Sequence, residues 1–208
     1  MILAVAGAYG TLATADGIYV DMDYFYFDDF CWRNPNRCSP AEARDYYVAQ
    51  VRRPSSFGGV LEADAIGKLW GVRVRIWRPV PECGRNHYQS MMSLGEEAET
   101  ARQTLHLVLL RQRHFRALLG EPNGAFGSAF TQLEAGAGGD CLYLALTACA
   151  NAAGMRREGI TSVPQLREAT AGHIAARADS AQSIYSLCCD VFADYCRNQK
   201  VADKQSPV

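Results

Sequence analysis

The stretch Gly136-Ala137-Gly138-Gly139-Asp140-Cys141-Leu142-Tyr143-Leu144-Ala145-Leu146 constrains this chain more than any other. Small, flexible residues end in an acid and a cysteine, and a helical pattern follows at once. Leu142, Ala145, Leu146, Cys149 and Ala153 recur at helical spacing, and Gly154 is a natural stop. Cys141 is therefore expected in the first turn of an amphipathic helix. A helix N-terminus favours anions, so its thiol pKa is expected to fall below the free value of about 8.5. Backbone N–H groups beside the sulfur would suit the oxyanion of an acyl-transfer intermediate. A free cysteine at a helix start, after a glycine-rich linker, fits the same residues, and the local stretch does not choose between the two.

Composition narrows the classes. The chain has 208 residues, 21% of them charged, with a formal net charge of -1, so the basic footprint of a nucleic-acid binder is missing. No apolar run approaches the roughly 18 residues of a membrane span, and no membrane association is expected. Cysteines stand at 31, 38, 83, 141, 149, 188, 189 and 196 without a Cys-x-x-Cys pair, and several fall on expected buried helix faces. That pattern supports neither a disulfide framework nor a zinc site, so a reduced, cytosolic compartment and no metal or cofactor are expected. Ala13-Thr14-Ala15 has the look of a cleavage site. No Lys or Arg precedes the apolar Met1–Gly7 run, however, and a signal peptide is not expected.

Residues 1–38 read as an N-terminal extension packed on the core. Between Ile18 and Phe30, aromatic residues alternate with Asp21, Asp23, Asp28 and Asp29, which suggests an edge strand and loop or, less simply, a surface for a basic partner. Ser39-Pro40-Ala41-Glu42 places an N-cap, a first-turn proline and a third-position glutamate. The helix it opens runs through Tyr46, Tyr47 and Val51 toward Pro54. A second helix is expected from Val60, with Leu61, Ala65, Leu69 and Trp70 inward and Gly71 as its stop. Val72 to Trp77 alternates as a strand. Residues 78–103 read as a long polar insertion. Thr104 to Phe115 reads as one strand, with His106, Val108, Leu110, Gln112 and His114 sharing a face. Ser162-Val163-Pro164-Gln165 reads as a capping box opening a helix with Leu166, Ala169 and Ile174 inward. A last helix carries Ile184, Leu187, Cys188, Val191, Phe192 and Tyr195, and a disordered tail is expected at 200–208.

Three blocks together resemble the ovarian-tumour (OTU) family of cysteine proteases, which remove ubiquitin from proteins. Asp140-Cys141-Leu142-Tyr143-Leu144-Ala145-Leu146 is similar to that family's nucleophile block. Phe57-Gly58-Gly59-Val60-Leu61-Glu62 is similar to its Gly-Gly helix, and Leu105 to Phe115 to its histidine strand. Leu166-Arg167 is a fourth, weaker match. Family members run nucleophile, Gly-Gly helix, histidine; here Gly58-Gly59 and His114 precede Cys141, so the order resembles a circular permutation joined across Ala117 to Gly138.

The resemblance implies an α+β, papain-like OTU fold over residues 39–199, with a small sheet sandwiched by helices. It implies a monomeric deubiquitinase acting on ubiquitin or polyubiquitin, of a kind associated with bacterial effectors delivered into host cytoplasm. Cys141 would be the nucleophile and His114 its base, with His106 the other histidine on that face. The backbone of Gly138, Gly139 and Asp140 would form the oxyanion hole, with the Asp140 side chain capping the helix. Phe57, Gly58 and Glu62 would line the substrate groove. Many members place an acid two residues beyond the histidine, where this chain has Arg116. Gln112 is the expected orienting group, with Glu134 and Asn123 as alternatives. A catalytically silent ubiquitin-binding module, or a protease for a ubiquitin-like modifier, fits the same blocks.

Overall fold

The structure, a computed structural model, describes residues 4–6, 11–13, 19–21, 40–80, 87–96, 100–111, 114–122, 130–155, 160 and 162–178. The expected Ser39 cap, the 184–195 helix, the 200–208 tail and the cysteines other than Cys141 and Cys149 lie outside these residues.

Three short strands come first, β1 (Ala4–Ala6), β2 (Thr11–Ala13) and β3 (Tyr19–Asp21), paired antiparallel in a sheet of their own. Helix α1 spans Pro40–Arg52 and α2 spans Val60–Trp70. The α2 start is stabilised by its third residue: the Gly59 N–H donates to Glu62 Oε2 at 2.6 Å. Its end is set by Gly71, left-handed at φ 63°, which lets the Val72 N–H reach the Gly67 carbonyl at 2.9 Å. Leu69, expected inward, is exposed. It sits on the last turn of the helix.

The main sheet has the order β5-β4-β6-β7-β8. Its strands are β4 (Arg73–Pro79), β5 (Tyr88–Gly95), β6 (Thr104–Leu110), β7 (His114–Leu119) and β8 (Thr131–Leu133). Only β4 and β6 run parallel; the other neighbours are antiparallel. The insertion expected as loop thus contains β5, whose Tyr88, Met92 and Leu94 are buried. The single strand expected over 104–115 is a hairpin. It turns at Arg111, which takes φ 49°, and pairs Leu110 with His114. The expected join after Ala117 carries the end of β7 and all of β8.

A turn of 3-10 helix at Gly138–Asp140 leads into α3 (Cys141–Ala152), and α4 spans Val163–Ala178. On one sheet face Val74, Ile76, Leu105, Leu107, Phe115 and Ala117 form a core with Leu61, Ile66, Leu142, Leu146, Leu166 and Ile174 of the helices. The fold is therefore α+β, with helices over one face of a mixed sheet.

The other face holds a smaller cluster of Trp77, Tyr88, Val108, Leu118 and Phe130. His106 is buried there, and its Nδ1 accepts the Trp77 indole N–H at 3.1 Å. Burial, followed by the charge of Arg75, lowers the His106 pKa to about 4. The unfolded chain, with its histidine near 6.5, binds this proton more readily than the native protein between those two values. Stability is therefore full above about pH 6.5 and falls as pH drops toward 4, by about 3 kcal/mol from this group. Urea unfolding at pH 7 and pH 4.5 should show most of that loss, and His106→Asn, which keeps an acceptor but does not titrate, should reduce the difference. An unchanged difference would assign the acid sensitivity to other groups.

Candidate functional site

Cys141 opens α3, as the glycine-rich run dictates. The Cys141 N–H closes the preceding turn on the Gly138 carbonyl, and its side chain is buried against β7. There it lies beside the backbone of Phe115, the residue that follows His114 in β7. Position 141 and position 114 are thus brought to the same end of the same strand. Burial pushes the thiol pKa up, and the charge of Glu134 adds to that push. The amides of Phe115, Leu142 and Cys141 itself oppose it without prevailing. The expected lowering by the helix N-terminus is overturned, because removing the sulfur from water outweighs the orphan amides of one helical turn.

His114 is the first residue of β7 and is partly exposed. Its Nε2 lies 3.0 Å and 2.9 Å from the two carboxylate oxygens of Glu134. Glu134 follows β8, and the antiparallel pairing of Ala117 with Leu133 carries it alongside the start of β7. Arg116, two residues past the histidine on the same face, donates its Nε to Glu134 Oε2 at 2.5 Å. The hydrogen bond to His114 is the largest influence holding the Glu134 carboxyl below its usual range. With Nε2 engaged, Nδ1 is the nitrogen left for a thiol. Among the described residues no hydrogen bond joins the Cys141 sulfur to the imidazole. Gln112 and Asn123 lie outside the described residues. Of the three expected orienting groups, Glu134 is the one seen on the imidazole.

The loop before Cys141 is held from behind. Arg167 of α4 is 2% exposed and stacks on Tyr143, its Cζ 4.1 Å from the ring centroid. It donates to Asp140 Oδ1 from Nε at 3.0 Å and from Nη2 at 2.5 Å. Nη2 also reaches the carbonyls of Ser56 at 2.5 Å and Gly139 at 3.1 Å, and Nη1 that of Val51 at 2.9 Å. The Asp140 side chain makes no capping hydrogen bond and is turned to Arg167 instead. A buried guanidinium needs a counter-charge more than a helix start needs one more acceptor. Within the turn the Cys141 N–H is already taken, and in 3-10 geometry the Asp140 N–H faces the carbonyl three residues back. The leading amides, Gly138 and Gly139, are the ones the turn leaves without an internal acceptor.

Gly139 lies against the loop that precedes the Gly58-Gly59 pair: a Cβ there would stand 1.7 Å from the Ser55 carbonyl oxygen. Gly58 approaches Leu142 and Tyr143 of α3 in the same way, and Phe57 beside it is 49% exposed. Glu62, expected in a groove, is instead buried, with its carboxylate accepting the Tyr47 hydroxyl and the Gly59 N–H. Burial raises its pKa despite those bonds, because a carboxylate among helices keeps little solvation. Its place in α2 makes it a structural acceptor. His106 is remote in chemistry from Cys141, being committed to Trp77.

The described residues thus define a mixed α+β fold in which a helix-opening cysteine and a strand-opening histidine share one strand end, and a glutamate engages the histidine. Comparison of the chain with protein-family models, with characterised proteins and with solved structures returned no match in any of the three. No group of three or more His, Cys, Asp or Glu among the described residues is arranged to hold a metal ion, and no described helix is long and apolar enough to cross a membrane.

Proposed function

We propose that this chain is a cysteine hydrolase of acyl bonds and, on the resemblance of its motif blocks, a circularly permuted OTU-like deubiquitinase. The observation that supports the reading is the burial of the Cys141 side chain beside the start of β7, with Glu134 on Nε2 of His114, the first residue of that strand. In this reading His114 takes the thiol proton through Nδ1 as the sulfur attacks the carbonyl carbon of ubiquitin's C-terminal glycine. Glu134 fixes the tautomer and stabilises the imidazolium that forms. The amides of Gly138 and Gly139 receive the oxyanion, His114 returns the proton to the leaving amine, and water then hydrolyses the thioester. Burial raises the thiol's pKa, so in this reading proton transfer to His114 accompanies attack. Catalytic hydrogen bonds that are long in the free protein commonly tighten when substrate binds.

The test is capture by a ubiquitin carrying an electrophilic C-terminus. A covalent adduct at Cys141 supports the enzyme. Non-covalent binding without an adduct supports a silent ubiquitin-binding module, the reading favoured by the buried thiol and its raised pKa. Adducts formed only with probes built on ubiquitin-like modifiers would move the substrate to that class.

Glu134 gives a further expectation. Glu134→Gln keeps an oxygen for the imidazole but removes the charge, and hydrolysis should fall by about a hundredfold with KM little changed. An unchanged rate would remove Glu134 from the mechanism.

A further inference from the structure

We infer, resting on the hydrolase reading above, that Arg167 is a positioning residue that sets the direction of the oxyanion-binding amide of Gly139. In a helical turn the carbonyls point one way along the axis and the N–H groups the other. Arg167 holds the Gly139 carbonyl at 3.1 Å and the Asp140 carboxylate at 2.5 Å, so the Gly139 N–H, at the leading end of the turn, is aimed away from the guanidinium, while Gly138, at φ 77°, stands outside that alignment. Gly139 is one of the donors proposed for the oxyanion.

The same guanidinium reaches the Ser56 carbonyl, next to the Ser55 carbonyl against which Gly139 is wedged. One buried cation therefore joins the two backbone segments that shape the donor loop. Its flat fork makes this possible: five N–H donors in one plane serve four acceptors, while a lysine ammonium offers three and cannot stack on Tyr143 in the same way. The Arg167 ion pair is made within the loop itself, with Asp140. Of the four acceptors, Val51 alone belongs to α1. The bonds to Gly139 and Asp140 act on the catalytic turn.

The experiment compares two reactions of the full chain. Hydrolysis of a fluorogenic C-terminal amide of ubiquitin passes through an oxyanion; alkylation by ubiquitin bearing a C-terminal haloalkyl group does not, yet needs the same docking and the same thiol. In Arg167→Lys the amide kcat should fall about a hundredfold, while KM and the alkylation rate stay within about threefold of wild type. Asp140→Asn, at a partly exposed site, weakens the hold on the guanidinium while leaving an oxygen to accept its hydrogen bonds. It should lower the ratio of hydrolysis to alkylation about tenfold, so the inference remains testable if Arg167→Lys does not fold. Equal loss of both reactions in the folded variants, or no change in their ratio, would overturn the positioning role. A wild-type chain that neither hydrolyses the amide nor takes the alkylating probe would instead overturn the hydrolase reading itself.

Discussion

Cys141→Ala should abolish covalent capture of an electrophilic ubiquitin and reduce amide hydrolysis by about four orders of magnitude or more. The expectation follows from how little the other described cysteine can substitute. Cys149 is buried in α3 and donates its S–H to the His106 carbonyl at 3.1 Å. Burial pushes its pKa up to about 11, so roughly one thiol in ten thousand is ionised at neutral pH. Cys141 is also raised, which gives the reaction a recognisable pH dependence. Capture of wild type should quicken steadily from about pH 7 to about pH 9 as the thiolate fraction grows. Intact mass should show one adduct on wild type and none on the variant. An adduct that survives Cys141→Ala would place the reactive thiol elsewhere.

The second large effect is steric. Gly139→Ala should destabilise the protein by about 3 kcal/mol and silence the site in whatever fraction remains folded. The added methyl would meet Ser55 backbone at 1.7 Å, and backbone, unlike a side-chain tip, cannot swing aside. Either the 53–59 loop or the Gly138–Asp140 turn has to move, and both are tied to Arg167. Gly138→Ala provides the contrast. Its Cβ would enter open space, so the cost there comes from holding an alanine at φ 77°. Denaturant melts of the two variants should rank Gly139→Ala well below Gly138→Ala. The reverse order would mean that the loop contact is not maintained in solution.

The helices were legible where their ends carry chemistry. Pro40 and Glu42 stand in the first turn of α1, Gly71 ended α2, and the glycine-rich run before Cys141 led into α3, because prolines and glycines act through local backbone geometry. The β6–β7 turn was not legible. Arg111, Gln112 and Arg113 include none of the residues that announce a turn, and Arg111 adopts a positive φ that non-glycine residues seldom take. Reading that hairpin as one strand put Gln112 beside His114 and hid the partner that the fold supplies. Glu134 reaches the imidazole only through strand register, and β8, three residues long with exposed Thr131 and Leu133, has no periodicity to read. Strand β5 was missed for a related reason: Gln89, Ser90 and Ser93 break its apolar alternation at a sheet edge.

The acid, the imidazole and the thiol all come from one unbroken run of chain between positions 114 and 141, while Arg167 enters from a later helix. Closing short loops costs less chain entropy than recruiting a distant segment. Under partial denaturation, the arginine should therefore let go while Glu134, His114 and Cys141 still gather. A protein in that condition would keep a modifiable sulfur after it had ceased to turn over substrate, so chemical labelling and catalysis would report different melting points for the same molecule.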